Sequence, residues 1–295
     1  MSTISLDELN AADEQGFVTA LSNIYEHAPW VAATAAGKRP FPTLAALAEA
    51  MQEAVKQASG ERQHALIAGH PDLANKAVRL DTLTLDSQAE QTSAGLDRLN
   101  NEEFERFHRL NKAYREKFGI PFIICVRRHA KDSILREFER RLRNDGSAEQ
   151  QTALGEISRI AALRLDQHVR GPDRLKVHGR LSTHVLDTYQ GHPAAGVAIE
   201  FFEIGASGES RLLSRATTNG DGRTDRPLIA EQPIPISQYE LRFSIGDYFV
   251  RGGTALPDPP FLGIVPIRFA VAEPEAHYHV PLLATPWSYA TYRGS

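Results

Sequence analysis

Hydrophobic positions recur along this chain with two different periods. Over "EEFERFHRLNKAYREKFG", Phe104, Phe107, Asn111, Tyr114 and Phe118 fall at steps of three and four, which is one face of an α-helix. Gly119 is placed to cap that helix and Pro121 to stop it. "FPTLAALAEAMQEAVKQA" reads as an Ala-rich helix with Thr43 as its N-cap. "ALGEISRIAALRLDQH" repeats Leu154, Ile157, Ala161 and Leu165 on a third helical stripe. After "VRGPDR" the period becomes two. "YELRFSIG" alternates Tyr239, Leu241, Phe243 and Ile245 against polar neighbours, and "IVPIRFAV" alternates Val265, Ile267, Phe269 and Val271. Turn-rich segments such as "GASGES", "TNGDGRTDRP" and "TALPDPP" separate these runs, as in an antiparallel sandwich. The pattern predicts a multidomain chain: all-α over 1–168, a linker over 169–174, and an all-β sandwich over 175–295.

Composition narrows the function classes. The 295 residues suit about two domains. The 42% hydrophobic content is enough to build cores. A net charge of -4 without a basic stripe argues against nucleic acid. The dense run Arg136 to Arg143 alternates with Glu137 and Glu139 and reads as a solvated helix face. No apolar run approaches the roughly 20 residues of a membrane span. The acidic start "MSTISLDELN" carries no secretory signal, and Cys125 in "FIICV" is the single cysteine, expected as a small buried hydrophobe. These features lead to the expectation of a cytoplasmic protein.

The β half carries a cluster of candidate groups. His277 and His279 in "HYH" point to one face of a strand. His184 lies in "STHVLD", Arg223 follows the Gly-rich turn "NGDG", and the last residues are Tyr292-Arg293-Gly294-Ser295. Imidazoles with a guanidinium and a hydroxyl could activate water and hold an oxyanion, which is what opening a cyclic amide requires. The plainer readings are hydrogen-bonded strand histidines and a surface arginine. Zinc is a further reading, but no HxxxH or CxxC spacing supports it.

"LSTHVLD", "GHPAAGV", "TNGDGR", "HYHVPLL" and "TYRGS", in that order over about 120 residues, resemble the 5-hydroxyisourate hydrolases, the enzymatic branch of the transthyretin-like family. The resemblance implies a homotetramer with sites between dimers. It implies His184, Arg223, His279 and Ser295 as catalytic residues, with Tyr292, Arg293 and Gly294 binding substrate, and no metal. His277 is not carried over with the same weight.

In the helical half, His70 precedes Pro71, whose ring pushes His70 toward an extended backbone and can open a helix. That would set the imidazole at a helix mouth. Glu90 follows Ser87 at capping-box spacing. Arg164 has no acidic partner three or four residues before it, so it reads as an arginine snorkelling at the core edge. "FPTLAALAEAM", "LIAGHPDLA", "SQAEQTSAGLDRLN", "FERFHRLNKAYREKFGIPFIICV" and "EISRIAALRL" resemble the 2-oxo-4-hydroxy-4-carboxy-5-ureidoimidazoline (OHCU) decarboxylases over most of 10–168. That family is all-α and uses no cofactor. The resemblance implies His70 and Glu90 as catalytic and Pro71, Ser87, Gln91 and Arg164 as substrate-binding. It adds Gly119, Ile120 and Ile123 from the "FGIPFI" loop, although Ile120 stands where an aromatic is common.

Together the two resemblances imply consecutive steps of urate breakdown. The first opens 5-hydroxyisourate to OHCU, and the second decarboxylates OHCU to (S)-allantoin. The decarboxylase-first order resembles the plant fusion, but no Arg-Leu…His-Leu peroxisomal pattern stands in "RLDQHVRGPDRLKVHGRL". The alternative is that only the helical half is catalytic, with the β half a small-ligand or oligomerisation module. The expected partners are small-molecule substrates and further copies of this chain.

Overall fold

The computed structural model describes residues 3–73, 90, 96 and 99–294. The chain divides into two compact units. One comprises Met1–Arg127 with Ser133–Val177, the other Arg128–Asp132 with His178–Ser295.

The described part of the first unit is helical. It holds α1 (Leu6–Ala11), α2 (Glu14–Leu21), α3 (Pro29–Ala36), α4 (Leu44–Gln57), α5 (Gly60–Ala68), α6 (Asn101–Phe118), α7 (Lys131–Arg141) from Ser133 onward, and α8 (Gly146–His168). Local chemistry fixes the ends. The Thr43 side chain accepts from Ala46 N–H at the start of α4. Asn100 and Glu103 form a capping box on α6, which ends at Gly119 in the left-handed region with φ 71°. Phe107 and Tyr114 from α6, and Leu154, Ile157, Ala161 and Leu165 from α8, are buried in one core. Cys125 is buried there too, as its sequence context suggested.

Two expectations about this unit are corrected. Residues 169–174 are tied into the helical unit rather than forming a linker. Val169–Arg170 (β2) pairs in parallel with Ile4–Ser5 (β1). The Asp173 carboxylate accepts from the first N–H groups of α4, Leu44 at 2.6 Å and Ala45 at 3.1 Å, where an anion is favoured. Hydrophobic period does not report such a polar clasp across 129 residues of chain.

The basic run of α7 is not uniformly solvated either. Arg106–Glu139 and Arg140–Glu137 are exposed pairs, but Arg141 is 1% exposed. Its Nε donates to the Glu149 carboxylate at 2.8 Å, and its Nη1 to the Ile123 carbonyl at 2.6 Å. Tyr114 and Asn144 also donate to Glu149. A buried charge is tolerated because every side of it is met.

The second unit is β-rich. Strands β6 (Ala198–Ile204), β7 (Ser210–Thr217), β9 (Ser237–Ser244) and β10 (Ile264–Val271) form an antiparallel sheet in the order β10-β9-β6-β7. Its alternating residues Tyr239, Leu241, Phe243, Val265, Ile267 and Val271 enter the second core. The remaining strands are β3 (Gly179–Ser182), β4 (Val185–Asp187), β5 (His192–Pro193), β8 (Ile229–Gln232), β11 (His277–His279), β12 (Leu282–Ala284) and β13 (Tyr289–Ala290). They are mixed rather than purely antiparallel, because β11 pairs with β3 and β12 with β4 in parallel. One helix, α9 (Ile245–Arg251), continues directly from β9, so Ile245 is buried as expected but from a helix.

Arg141→Met should destabilise the helical unit by about 3–5 kcal/mol, because it strands the Glu149 carboxylate in the core. Arg141→Met with Glu149→Leu should recover part of that loss. Denaturant unfolding of the three proteins checks this, and a single variant as stable as the parent would contradict it.

Candidate active sites

In the helical unit the first cluster forms where α5 ends. The last carbonyls of a helix lack intrahelical donors. His70 supplies two: its backbone N–H donates to Ile67 O, and its ring Nδ1–H donates to Leu66 O at 2.8 Å. The imidazole therefore sits at the C-terminal end of α5; Pro71 and Asp72 are not helical, and a helix beginning after Leu73 would lie outside the described residues. Because a carbonyl can only accept, Nδ1 carries the proton, and in the neutral ring Nε2 keeps its lone pair. Burial holds the His70 pKa below the usual imidazole range, and the Arg164 charge pushes the same way against the pull of Glu26.

Arg164 is buried rather than snorkelling. Its Nε and Nη2 donate to the two Glu90 oxygens at 2.9 and 3.0 Å, a bidentate pair. Nη2 also reaches Glu26 at 3.4 Å, and Nη1 reaches the Asn23 carbonyl at 3.3 Å. Its partners lie 74 and 138 residues away, so the i−3 and i−4 positions could not reveal them. Glu90 is thus engaged by Arg164 through both carboxylate oxygens. Ser87, at capping-box spacing from Glu90, lies outside the described residues, as does Gln91.

One cavity collects these groups. It is lined by Glu26, His70, Pro71, Glu90 and Arg164, with apolar walls from Leu73, Phe122, Ile124, Val126 and Ile160. Ile123 also lines it, held by the Arg141 bond to its carbonyl. Gly119 and Ile120 do not: Gly119 caps α6, and Ile120 packs in the core. Glu26 was missed in the sequence. Its signal was weak, an acidic residue in "YEHAPW" beside His27, which adopts a left-handed φ of 56°.

In the β unit, strand register assembles the second cluster. β11 lies parallel to β3 with His277 opposite Arg180 and His279 opposite Ser182. Alternation then puts Ser182, His184, His277 and His279 on one face. Past Ser182 the pairing continues through Val280 N–H to Ser182 O and Leu282 N–H to His184 O. His184 Nδ1 lies 2.6 Å from His279 Nε2. Ser182 Oγ lies 2.9 Å from both His279 Nδ1 and His277 Nε2. Arg223 is brought beside His184 by an antiparallel bridge.

Burial pushes the His279 pKa down to about 4, aided by the neighbouring His184, Arg223 and His277. His184 is also lowered, by burial and then by Arg223. Gly294 closes the cluster. Its N–H donates to His279 O at 2.9 Å, and a Cβ there would come within 2.9 Å of the His279 ring, so only glycine allows this approach. Arg293 is turned aside, its guanidinium 4.5 Å from the Tyr278 ring centroid and 3.7 Å from Glu273. Tyr292 is exposed, and Ser295 lies outside the described residues. Among the described residues no group of His, Cys, Asp and Glu converges as a metal site. No described helix is long and apolar enough to cross a membrane.

Comparison with known proteins places both clusters inside matched regions. The family model "OHCU decarboxylase" matches residues 10–166, and "HIUase/Transthyretin family" matches residues 181–294. A 5-hydroxyisourate hydrolase of Halalkalibacterium halodurans is 52% identical over 117 residues, which is 40% of this chain and 98% of that protein. A 2-oxo-4-hydroxy-4-carboxy-5-ureidoimidazoline decarboxylase of Haloferax volcanii is 44% identical over 165 residues, 56% of this chain and 96% of that protein. A solved (S)-allantoin synthase superposes with a TM-score of 0.54 and 32% identity, covering 99% of this chain and 100% of that one. The chain belongs to the OHCU decarboxylase family through its helical unit and to the HIUase/transthyretin family through its β unit.

Proposed function

We propose that this chain is a bifunctional enzyme of urate breakdown. Its β unit hydrolyses 5-hydroxyisourate to OHCU, and its helical unit decarboxylates OHCU to (S)-allantoin. One observation carries the reading: a single chain holds both families, each with an imidazole whose pKa is lowered by desolvation, and the product of one family's reaction is the substrate of the other's. Both intermediates are short-lived in water, so tethering raises the effective concentration of the second site.

In the hydrolase site the His184–His279 pair accepts a proton from water as it attacks the ring carbonyl. Arg223 and the terminal Ser295 stabilise and orient the developing oxyanion. Tyr292, Arg293 and Gly294 shape the pocket, and Gly294 already seats against His279. Assembly into a tetramer through the β unit and a cytoplasmic location belong to the same reading.

In the decarboxylase site the apolar walls strip water from the substrate carboxylate, which leaves as neutral CO2. The electron pair stays on the ring carbon and is then protonated. His70, whose Nε2 lone pair takes a proton from solvent and passes it on to the carbon, and Glu90 manage that proton, while Arg164 orients the anion and Pro71, Ser87, Gln91 and Ile123 frame the ring. Fixing the ring lets the proton arrive on one face only.

The two sites should separate by substitution. His70→Ala should consume 5-hydroxyisourate at the parent rate, accumulate OHCU and yield racemic allantoin. His279→Ala should slow the first step to its spontaneous rate while OHCU supplied directly still gives the (S) form. Absorbance with circular dichroism follows both steps. Optically pure allantoin from His70→Ala without a lag would remove the helical site from the chemistry.

Acid should inactivate the hydrolase late. The base works in its neutral form, and its pKa is lowered, so protonation begins only well below the usual imidazole range. The acid limb of kcat/KM should therefore fall toward about 4 rather than near neutrality. A limb at the ordinary imidazole value would place the working base elsewhere.

A further inference from the structure

We infer that Ser182 and His277 form a proton relay that empties the His184–His279 pair after each turnover. This rests on the hydrolase reading and extends it to two residues which that reading leaves without a role.

The geometry is a continuous chain. His184 Nδ1 to His279 Nε2 is 2.6 Å, His279 Nδ1 to Ser182 Oγ is 2.9 Å, and Ser182 Oγ to His277 Nε2 is 2.9 Å. Its inner members are half-buried or buried, whereas His277 is exposed. The chain therefore runs from the reacting pair to solvent.

A hydroxyl has one proton to give and an oxygen that accepts. Ser182 can donate to one of its two imidazoles only while accepting from the other. In one state His277 Nε2–H donates to Ser182, Ser182 donates to His279 Nδ1, and His279 Nε2–H donates to His184 Nδ1. In the other state every bond is reversed. Passage of one proton along the chain converts one state into the other, and both states leave every member satisfied. With the His279 ring neutral, no other arrangement of these four groups keeps all three bonds.

The reaction gives this chain a task. Hydrolysis adds water across an amide C–N bond: the oxygen forms the new C–O bond, the C–N bond breaks, and the ring nitrogen takes one proton. The new carboxylic acid ionises near neutral pH, and a ureido nitrogen does not take up its proton. One proton per turnover must therefore leave. The His184–His279 pair is poorly placed to store it, because burial and the Arg223 charge both disfavour an imidazolium there. An exposed imidazole one hydroxyl away can hand it to buffer.

Steady-state hydrolysis by the full chain, at low and high imidazole buffer, tests the relay. Ser182→Ala and His277→Gln should each lower kcat by about tenfold or more at low buffer, with KM changed less than about twofold. High buffer should restore most of the lost rate, since external imidazole replaces the missing relay. Gln at 277 keeps an N–H for Ser182, so it preserves orientation without proton exchange. Ser182→Thr keeps the hydroxyl and should retain the parent rate. A parent-like kcat for His277→Gln at low buffer, or losses that buffer does not restore, would overturn the relay and leave Ser182 a positioning residue. Nitrogen NMR of the His279 ring gives a readout that does not need turnover. Ser182→Ala should shift the Nδ1 signal, and an unchanged signal would overturn the chain itself. If the parent protein failed to hydrolyse 5-hydroxyisourate, the functional reading would fall, and the Nδ1 signal would still decide whether the coupled chain exists.

Discussion

Desolvation of imidazole is the constraint on which both sites depend. A charged imidazolium is costly away from water, so a buried histidine is held neutral and keeps a lone pair. His70 meets this condition at the end of α5, where donation to Leu66 O fixes which nitrogen is bare. His279 meets it between Ser182 and His184, where three neighbouring cationic or basic groups reinforce burial. In each case the fold first solves a backbone problem, a frayed helix end or a strand pairing, and the base follows from the solution.

The charges around each base differ, and this suits the two chemistries. The helical site places an arginine between two carboxylates, so the cavity holds a fixed, satisfied charge array beside a neutral base. The guanidinium is held in place by these partners and by the Asn23 carbonyl. The β site has no described carboxylate among its hydrogen-bonded members, and Arg223 is its nearby cation. That arrangement favours a developing oxyanion and disfavours a lingering proton.

Much of this was legible in the sequence because it is periodic or local. The stripes of α6 and α8, the Thr43 and Gly119 caps and the alternation of β9 and β10 all follow from short-range pattern. The shared face of His277 and His279 followed from the same rule. What escaped was set by long-range pairing. Nothing local to Arg164 announces Glu90 or Glu26, and nothing local to Arg141 distinguishes it from its exposed neighbours. Asp173 looked like part of a linker because its partners lie at the start of α4. Ser182 became visible only once the parallel register set it opposite His279.

The most direct test of the account is a pH titration of the ring nitrogens of His70 and His279 by NMR on the full chain. Both should remain neutral through the ordinary imidazole range, with His279 taking up its proton only near about 4. His70 should show its proton on Nδ1 throughout. Titration of either ring at the ordinary imidazole value would contradict the claim that burial prepares these bases.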